Sequence, residues 1–229
     1  MNKNNNLWVL LPHRGVNAGK SRLSAVLNDA ARGKLNRWLL AHTMGVTAEW
    51  LGDAQRCIVV SPCEVTLALA RKAGALALAE QAHTPDLNAA LSQAAAYAAA
   101  LGAQRLLILP GDLPRLGVAA LEALGAVPLT GNDMVIAPDR HHRGTNALLV
   151  DATVREFAFG PGSYAKHLAQ GDARGVRTVA CVHAALAFDL DTVDDFVEWS
   201  MGDDAPQEFL ATLPRIVPRG AATITSRTK

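Results

Sequence analysis

The sequence predicts one α/β domain: a mixed, mostly parallel sheet with helices on both faces. Three observations predict it. Short apolar runs alternate with stretches of helical spacing, as in chains that wind strands and helices in turn. Those runs are nearly continuous in Val, Ile and Leu, the pattern of strands buried on both faces. The chain has 229 residues, enough for one such domain with a substantial core.

The elements follow in order. LWVLLP, from Leu7 to Pro12, is a short apolar run stopped by proline and reads as the first strand. A Gly-containing loop follows, and from Arg32 to Leu51 the residues Leu35, Leu39, Leu40, Val46 and Trp50 recur at mostly helical spacing. CIVVSP reads as a strand, EVTLALARKAG as a helix ending at Gly74, and ALALAE as a strand. The next helix has Thr84 as its expected N-cap, Pro85 at its first position and Gly102 at its close. RLLILP is the fourth strand. A short helix near Gly117 to Gly125 then gives way to the strands DMVIAP and NALLV, separated by the polar loop DRHHRGT. Beyond a helix near Ser163, VRTVACV and ALAFDLD read as strands, and a last helix begins near Thr192. The polar, basic, proline-interrupted stretch 214–229 reads as a tail or edge extension of a single domain spanning 1–229. No repeat or linker divides the chain.

Composition narrows the function. The formal net charge is +1, so no whole-molecule field drives the chain onto nucleic acid or an acidic membrane. Small, locally charged ligands are expected instead. Cys57, Cys63 and Cys181 are an odd set without the short spacing of a zinc site or a disulfide framework, and Cys57 and Cys181 lie in apolar runs. The polar start MNKNNN carries no signal region, and no apolar stretch reaches membrane-spanning length. The expectation is a cytoplasmic protein.

In open α/β sheets ligands gather at the carboxyl ends of strands, so those ends carry the search for chemistry. In LPHRGVNAGKSRL three residues separate Gly15 from Gly19, where a phosphate-binding P-loop needs four. The loop reads either as a plain strand-to-helix turn or as a cradle in which backbone N–H groups, with Arg14, Gly19, Lys20 and Arg22, surround a triphosphate. Asp112 follows the fourth strand inside PGDLP; alone, such an acid is more often a helix cap. Asp189 and Asp191 shift that balance, because alternation puts both on one side of the expected strand ALAFDLD. Magnesium takes one or two carboxylates plus phosphate and water, so strand-end aspartates converging from two places suffice. Thr192 is expected to cap the last helix, with Asp194 and Asp195 in its first turn. FGPGSYAKHL places Ser163 at a helix N-terminus, read either as a simple cap or as an anion site. The loop from Arg140 to Thr145 is the densest basic patch. His13 lies within reach of phosphate; His42, His83, His167 and His183 show no partner pattern.

At these residues the chain resembles the 2-phospho-L-lactate guanylyltransferase family of coenzyme F-420 biosynthesis. The matching segments are AGKSRL, LNAAL, LPGDLP, APDRHHRGTNALL, FGPGSYAKHL and LDTVDDF, in the family's order across most of residues 7 to 196. The wider resemblance is to single-domain, Rossmann-like nucleotidyltransferases of the glycosyltransferase-A type. It implies a magnesium-dependent transfer of GMP from GTP to a phosphorylated three-carbon acid: 2-phospholactate, phosphoenolpyruvate or 3-phosphoglycerate. It also implies roles. Lys20 and Arg22 would contact the triphosphate and Asn88 would lie near the nucleoside. Asp112 and Asp191 would hold magnesium, with Asp189 as a second candidate. Thr145, Gly162 and Ser163 would bind the acceptor, and a homodimer is the implied assembly. The chain departs from the family where LLPHRGV replaces a customary VPVKP. Two other readings stay open: a sugar-phosphate or molybdopterin nucleotidyltransferase, and a non-catalytic nucleotide-binding protein.

Overall fold

Residues 6–81 and 86–213 are described by the computed structural model. The strands are β1 (Leu7–Pro12), β2 (Cys57–Ser61), β3 (Leu76–Ala79), β4 (Arg105–Ile108), β5 (Met134–Pro138), β6 (Thr145–Asp151) and β7 (Thr178–Ala180). They form one sheet in the order β3-β2-β1-β4-β6-β5-β7. β6 pairs antiparallel with both β4 and β5, while the other pairings are parallel. The expected mixed, mostly parallel sheet is what forms.

The helices are α1 (Asp29–Leu51), α2 (Glu64–Lys72), α3 (Leu87–Ala100), α4 (Val118–Gly125), α5 (Ser163–Ala173), α6 (Ala184–Ala187), α7 (Val193–Ser200) and α8 (Gln207–Ala211). One face of the sheet is covered by α1, α2, α4 and α6, through residues such as Leu40, Ala70, Leu121 and Leu186. The other is covered by α3 and α5. Alanines 90, 94, 95 and 98 make the buried stripe of α3, which lets that helix lie close to the sheet. α1 is buried on two sides. Leu40 and Met44 face the sheet, while Leu35 and Leu39 face a third core that also holds Phe196, Trp199 and Leu210 from α7 and α8. α8 has no counterpart in the sequence reading.

Several boundaries moved. α1 starts at Asp29 because the Asn28 side chain accepts the Ala31 N–H at 2.9 Å. Thr84 and Pro85, expected to open α3, lie outside the described residues, as do His83 and the stretch 214–229. The described helix is capped instead by Asp86, which accepts from the Asn88 N–H at 3.1 Å.

One element is corrected. ALAFDLD is not a strand: residues 184–187 form α6, opened by His183, whose Nδ1 accepts the Ala185 N–H. The alanines favour the helical turn. The irregular stretch after it is drawn inward because Phe188 and Leu190 bury in the third core. Its backbone is fastened to the β4 loop by the Leu190 N–H, which donates to the Asp112 carbonyl at 3.0 Å. Among the described residues no helix is long and apolar enough to cross a membrane.

Candidate active site

The chain runs β1, β2, β3 toward one edge of the sheet, then returns through α3 to place β4 on the other side of β1. The order of strands therefore reverses between β1 and β4, and a crevice opens at their carboxyl ends. A cleft of about 390 Å³ lies there, lined among others by His13, Arg14, Glu80, Leu87 and Pro110. Antiparallel β6 brings its first residues, Thr145 and Asn146, to the same edge.

The loop after β1 is held in a specific shape. Gly15 has φ 137°, and a Cβ there would meet the Cys63 Cβ at 3.1 Å, so only glycine fits without adjustment. Buried Asn36 of α1 donates from Nδ2 to the carbonyls of Val16 and Ala18 at 3.2 and 2.9 Å. Lys20 is left-handed, with φ 53°, a conformation that costs a non-glycine residue about 1–3 kcal/mol and is retained where surrounding contacts enforce it.

Those contacts are two carboxylates. Lys20 Nζ donates to Asp112 Oδ2 at 3.1 Å and to Asp191 Oδ1 at 3.0 Å, with its own side chain only 8% exposed. Burial alone would lower the ammonium's pKa, but the two negative charges outweigh it and hold it above the usual lysine value. Asp189 sits beside this pair and accepts from Asn146 Nδ2 at 3.4 Å. Its carboxyl is pushed above the usual aspartate value, first by burial and then by the charges of Asp112 and Asp191. The alternation expected of a strand thus holds in an irregular segment. Phe188 and Leu190 turn inward, and Asp189 and Asp191 turn toward Asp112. Asp112 is no helix cap, since α4 is capped by Gly117.

The donor set suits a hard divalent cation of modest protein coordination. Two carboxylates already share one positive charge, and a third stands next to them. Among the described residues no three Asp, Glu, His or Cys side chains close into a metal cage. A metal ion here would need phosphate and water to complete its shell, which is the mode magnesium favours.

Asp191 is fixed from behind. The Asp195 carboxylate accepts from the N–H groups of Asp191 and Thr192 at 3.0 and 2.7 Å, and Thr192 Oγ1 accepts from the Asp195 N–H at 3.2 Å. Thr192 thus caps α7 as expected, and the two sets of bonds together make a capping box. Arg140 ion-pairs with Asp195 and Glu198 and lies over the Phe188 ring, with Arg115 on the same ring at 3.9 Å. The densest basic patch of the sequence therefore serves partly as a clamp on the Asp189–Asp191 segment.

The remaining expected residues divide. Arg14 is exposed and lines the cleft. Gly19 is left-handed, with φ 83°, next to Lys20. Arg22 is exposed on the 3-10 turn Ser21–Leu23 and stands outside the carboxylate cluster. Lys20, expected on a triphosphate, pairs with the carboxylates of Asp112 and Asp191. The Asn88 amide is engaged with backbone: Oδ1 accepts the Phe159 N–H at 2.8 Å and Nδ2 donates to the Phe159 carbonyl at 3.2 Å. It thereby ties α3 to the loop that carries Gly162 and Ser163. Gly162, with φ 71°, precedes α5, and buried Ser163 is the first helical residue rather than its cap.

Two histidines and Asn36 were not singled out for these roles by sequence. His13 Nδ1 accepts the Gly15 N–H at 3.1 Å, so the neutral ring carries its proton on Nε2. Burial holds the His13 pKa down at about 4 against the opposing pull of Asp112. His167 is fully buried behind Thr145.

Comparisons with known proteins identify the family. The family model described as "Guanylyl transferase CofC like" matches residues 7–220. The chain belongs to that family. A phosphoenolpyruvate guanylyltransferase of Rubrobacter xylanophilus is 38% identical over 190 residues, covering 82% of this chain and 91% of that one. A 3-phospho-D-glycerate guanylyltransferase of Phenylobacterium zucineum is 36% identical over 196 residues, covering 84% and 89%. Among solved structures, a cytidylyltransferase from Leptospira borgpetersenii serovar Hardjo-bovis superposes with a TM-score of 0.57 at 11% identity, covering 90% of this chain and 92% of that one. That last likeness is one of fold alone.

Proposed function

We propose that this chain transfers the GMP part of GTP to a phosphorylated three-carbon acid and releases pyrophosphate, a step in coenzyme F-420 biosynthesis. The observation that carries the reading is the Lys20 ammonium clasped between Asp112 and Asp191 at the switch point of the sheet. Family membership and the names of the relatives support the reaction class.

The chemistry follows from charge. A phosphate oxygen of the acceptor attacks the α-phosphorus of GTP, a new P–O–P bond forms, and the bond from the α-phosphorus to the β-phosphate bridging oxygen breaks. The chain must bring two anions together and stabilise a third as it leaves. Asp112 and Asp191 would hold magnesium, with Asp189 beside them. That ion would supply neutralising charge for the α-phosphate and for pyrophosphate. With a cation held by Asp112 and Asp191, Lys20 Nζ would be available to the triphosphate. The backbone of the 15–19 loop and Arg14 surround the same phosphates, and Arg22 reaches them from the exposed turn. The nucleoside occupies the cleft, where His13 offers an Nε2–H donor and Asn88 holds the loop in place. Thr145, Gly162 and Ser163 receive the acceptor's carboxylate and phosphate.

The test is pyrophosphate release from GTP and magnesium, with phosphoenolpyruvate, 3-phosphoglycerate and 2-phospholactate supplied separately. Release only when one of these acids is present is expected, with phosphoenolpyruvate tried first because the R. xylanophilus relative bears that name. Inactivity with all three acids while a sugar phosphate is turned over would sink the reading.

A further inference from the structure

His167 has no assigned part in the reaction, yet it is among the best-defined polar groups of the interior. It lies on α5, fully buried, and its two ring nitrogens are both engaged. The Ala158 N–H donates to Nε2 at 3.2 Å. A backbone N–H can only donate, so Nε2 is the bare acceptor and the neutral imidazole must carry its proton on Nδ1. That proton points at Thr145 Oγ1, 3.0 Å away. Burial, aided by the Lys166 charge, holds the His167 pKa down at about 4, so the ring stays neutral and the tautomer is fixed near neutral pH. The edge of the ring also meets Phe159, centroid to centroid at 4.7 Å.

The direction of these bonds matters for Thr145. A hydroxyl that accepts from Nδ1–H keeps its own proton available to donate. Among the described residues Thr145 Oγ1 has no other hydrogen-bond partner. Thr145 opens β6 at the ligand edge of the sheet, and its neighbour Asn146 touches Asp189. The same imidazole grips the backbone at Ala158, four residues before Gly162, so one ring joins the two segments given to the acceptor.

We propose that His167 is a positioning residue for the acceptor acid: its Nδ1–H turns the Thr145 hydroxyl into an obligate donor toward the acceptor's carboxylate, while its Nε2 sets the loop leading to Gly162 and Ser163. The inference rests on the acceptor placement proposed above. His167 itself touches no substrate.

The test compares wild type with His167→Gln, His167→Asn, Thr145→Val and the double variant Thr145→Val with His167→Gln. GTP and phosphoenolpyruvate are varied separately, and thermal melting is followed for each protein. An asparagine amide reaches the place of Nδ1 and can donate to Thr145; a glutamine amide reaches the place of Nε2 and cannot. His167→Gln is expected to raise the acceptor KM about tenfold and leave the GTP KM within about twofold, as for loss of one hydrogen bond to a charged group. His167→Asn, which restores the donor to Thr145 but not the acceptor for Ala158, should bring the acceptor KM part of the way back toward wild type. The double variant should be no worse than Thr145→Val alone. Equal rises in both KM values, or additive losses in the double variant, overturn the inference. Nitrogen NMR of the wild-type imidazole serves even if a variant fails to fold: a proton found on Nε2 overturns it as well. A wild type active with a phosphorylated acid but indifferent to His167→Gln overturns this inference alone. A wild type that transfers GMP to no phosphorylated acid overturns the functional reading beneath it.

Discussion

Lys20 is a buried cation held in a strained backbone by two acids from distant parts of the chain. The ammonium is brought out of water while its two carboxylate partners stay 30% and 47% exposed. The solvation cost therefore falls mainly on Lys20 and is offset by two close opposite charges. Removing one acid leaves Lys20 with a single partner and leaves the candidate cation site with half its ligands. Asp112→Asn and Asp191→Asn are each expected to lower the rate of pyrophosphate release about 10²–10³-fold while the far-UV circular dichroism stays unchanged. Wild-type rates in both variants would remove the two carboxylates from the chemistry. Asp112 was legible because an acid after a Leu/Ile strand at PGDLP stands out against its surroundings. Asn36 and His167 were not, and His13 was legible only as a loop residue near phosphate, not in its bond to the Gly15 N–H. Each acts through hydrogen bonds to backbone or hydroxyl groups that the fold, not sequence spacing, brings near.

At the scale of elements, the site depends on a segment without regular structure. Residues 188–191 are positioned by burial of Phe188 and Leu190, by the bond from Leu190 to Asp112, and by the capping box of α7. Thr192→Ala removes the N-cap side chain and should cost about 0.5–2 kcal/mol in urea unfolding. Because Thr192 Oγ1 steadies Asp195, whose carboxylate in turn accepts the Asp191 N–H, the variant should also lose turnover under conditions where it is fully folded. Full activity with the stability loss alone would mean that Asp191 is placed by other contacts. Alternation was enough to find Asp189 and Asp191 in the sequence, although the strand it was read from does not exist. Apolar residues at every second position look the same whether they pack into a sheet or into a helical side core. The cap at Thr192 was readable because it is local: a hydroxyl and an acid three residues apart.

The whole molecule places its candidate ligand groups by one reversal and one inverted strand. Strand order reverses at β1 and β4, and β6 runs backwards, so Thr145 begins the strand at the edge where Asp112 follows another. The parallel part of the sheet was readable from the alternation of apolar runs and helices. The inversion of β6 was not, since direction leaves no mark on a short apolar strand. Burial of the interior also sets a dependence on pH. The His167 pKa is near 4 when folded and 6.5 for the free side chain, so below pH 6.5 the unfolded chain binds the proton more readily. Stability supplied by the neutral ring is complete above pH 6.5 and is lost as pH falls toward 4. Urea midpoints measured across that window should decline, and His167→Gln should flatten the decline; an equal slope in both proteins would show that His167 titrates normally.

The central claim is that the clasp of Lys20 between Asp112 and Asp191 belongs to a guanylyl-transfer site. Phosphorus NMR of the protein with GTP, magnesium and phosphoenolpyruvate tests it most directly. The account predicts that the GTP resonances give way to free pyrophosphate and a new coupled pair from a P–O–P linkage between GMP and the acid, with far slower conversion by Asp112→Asn. GTP left intact with every phosphorylated three-carbon acid, or split to pyrophosphate and free GMP, would contradict it.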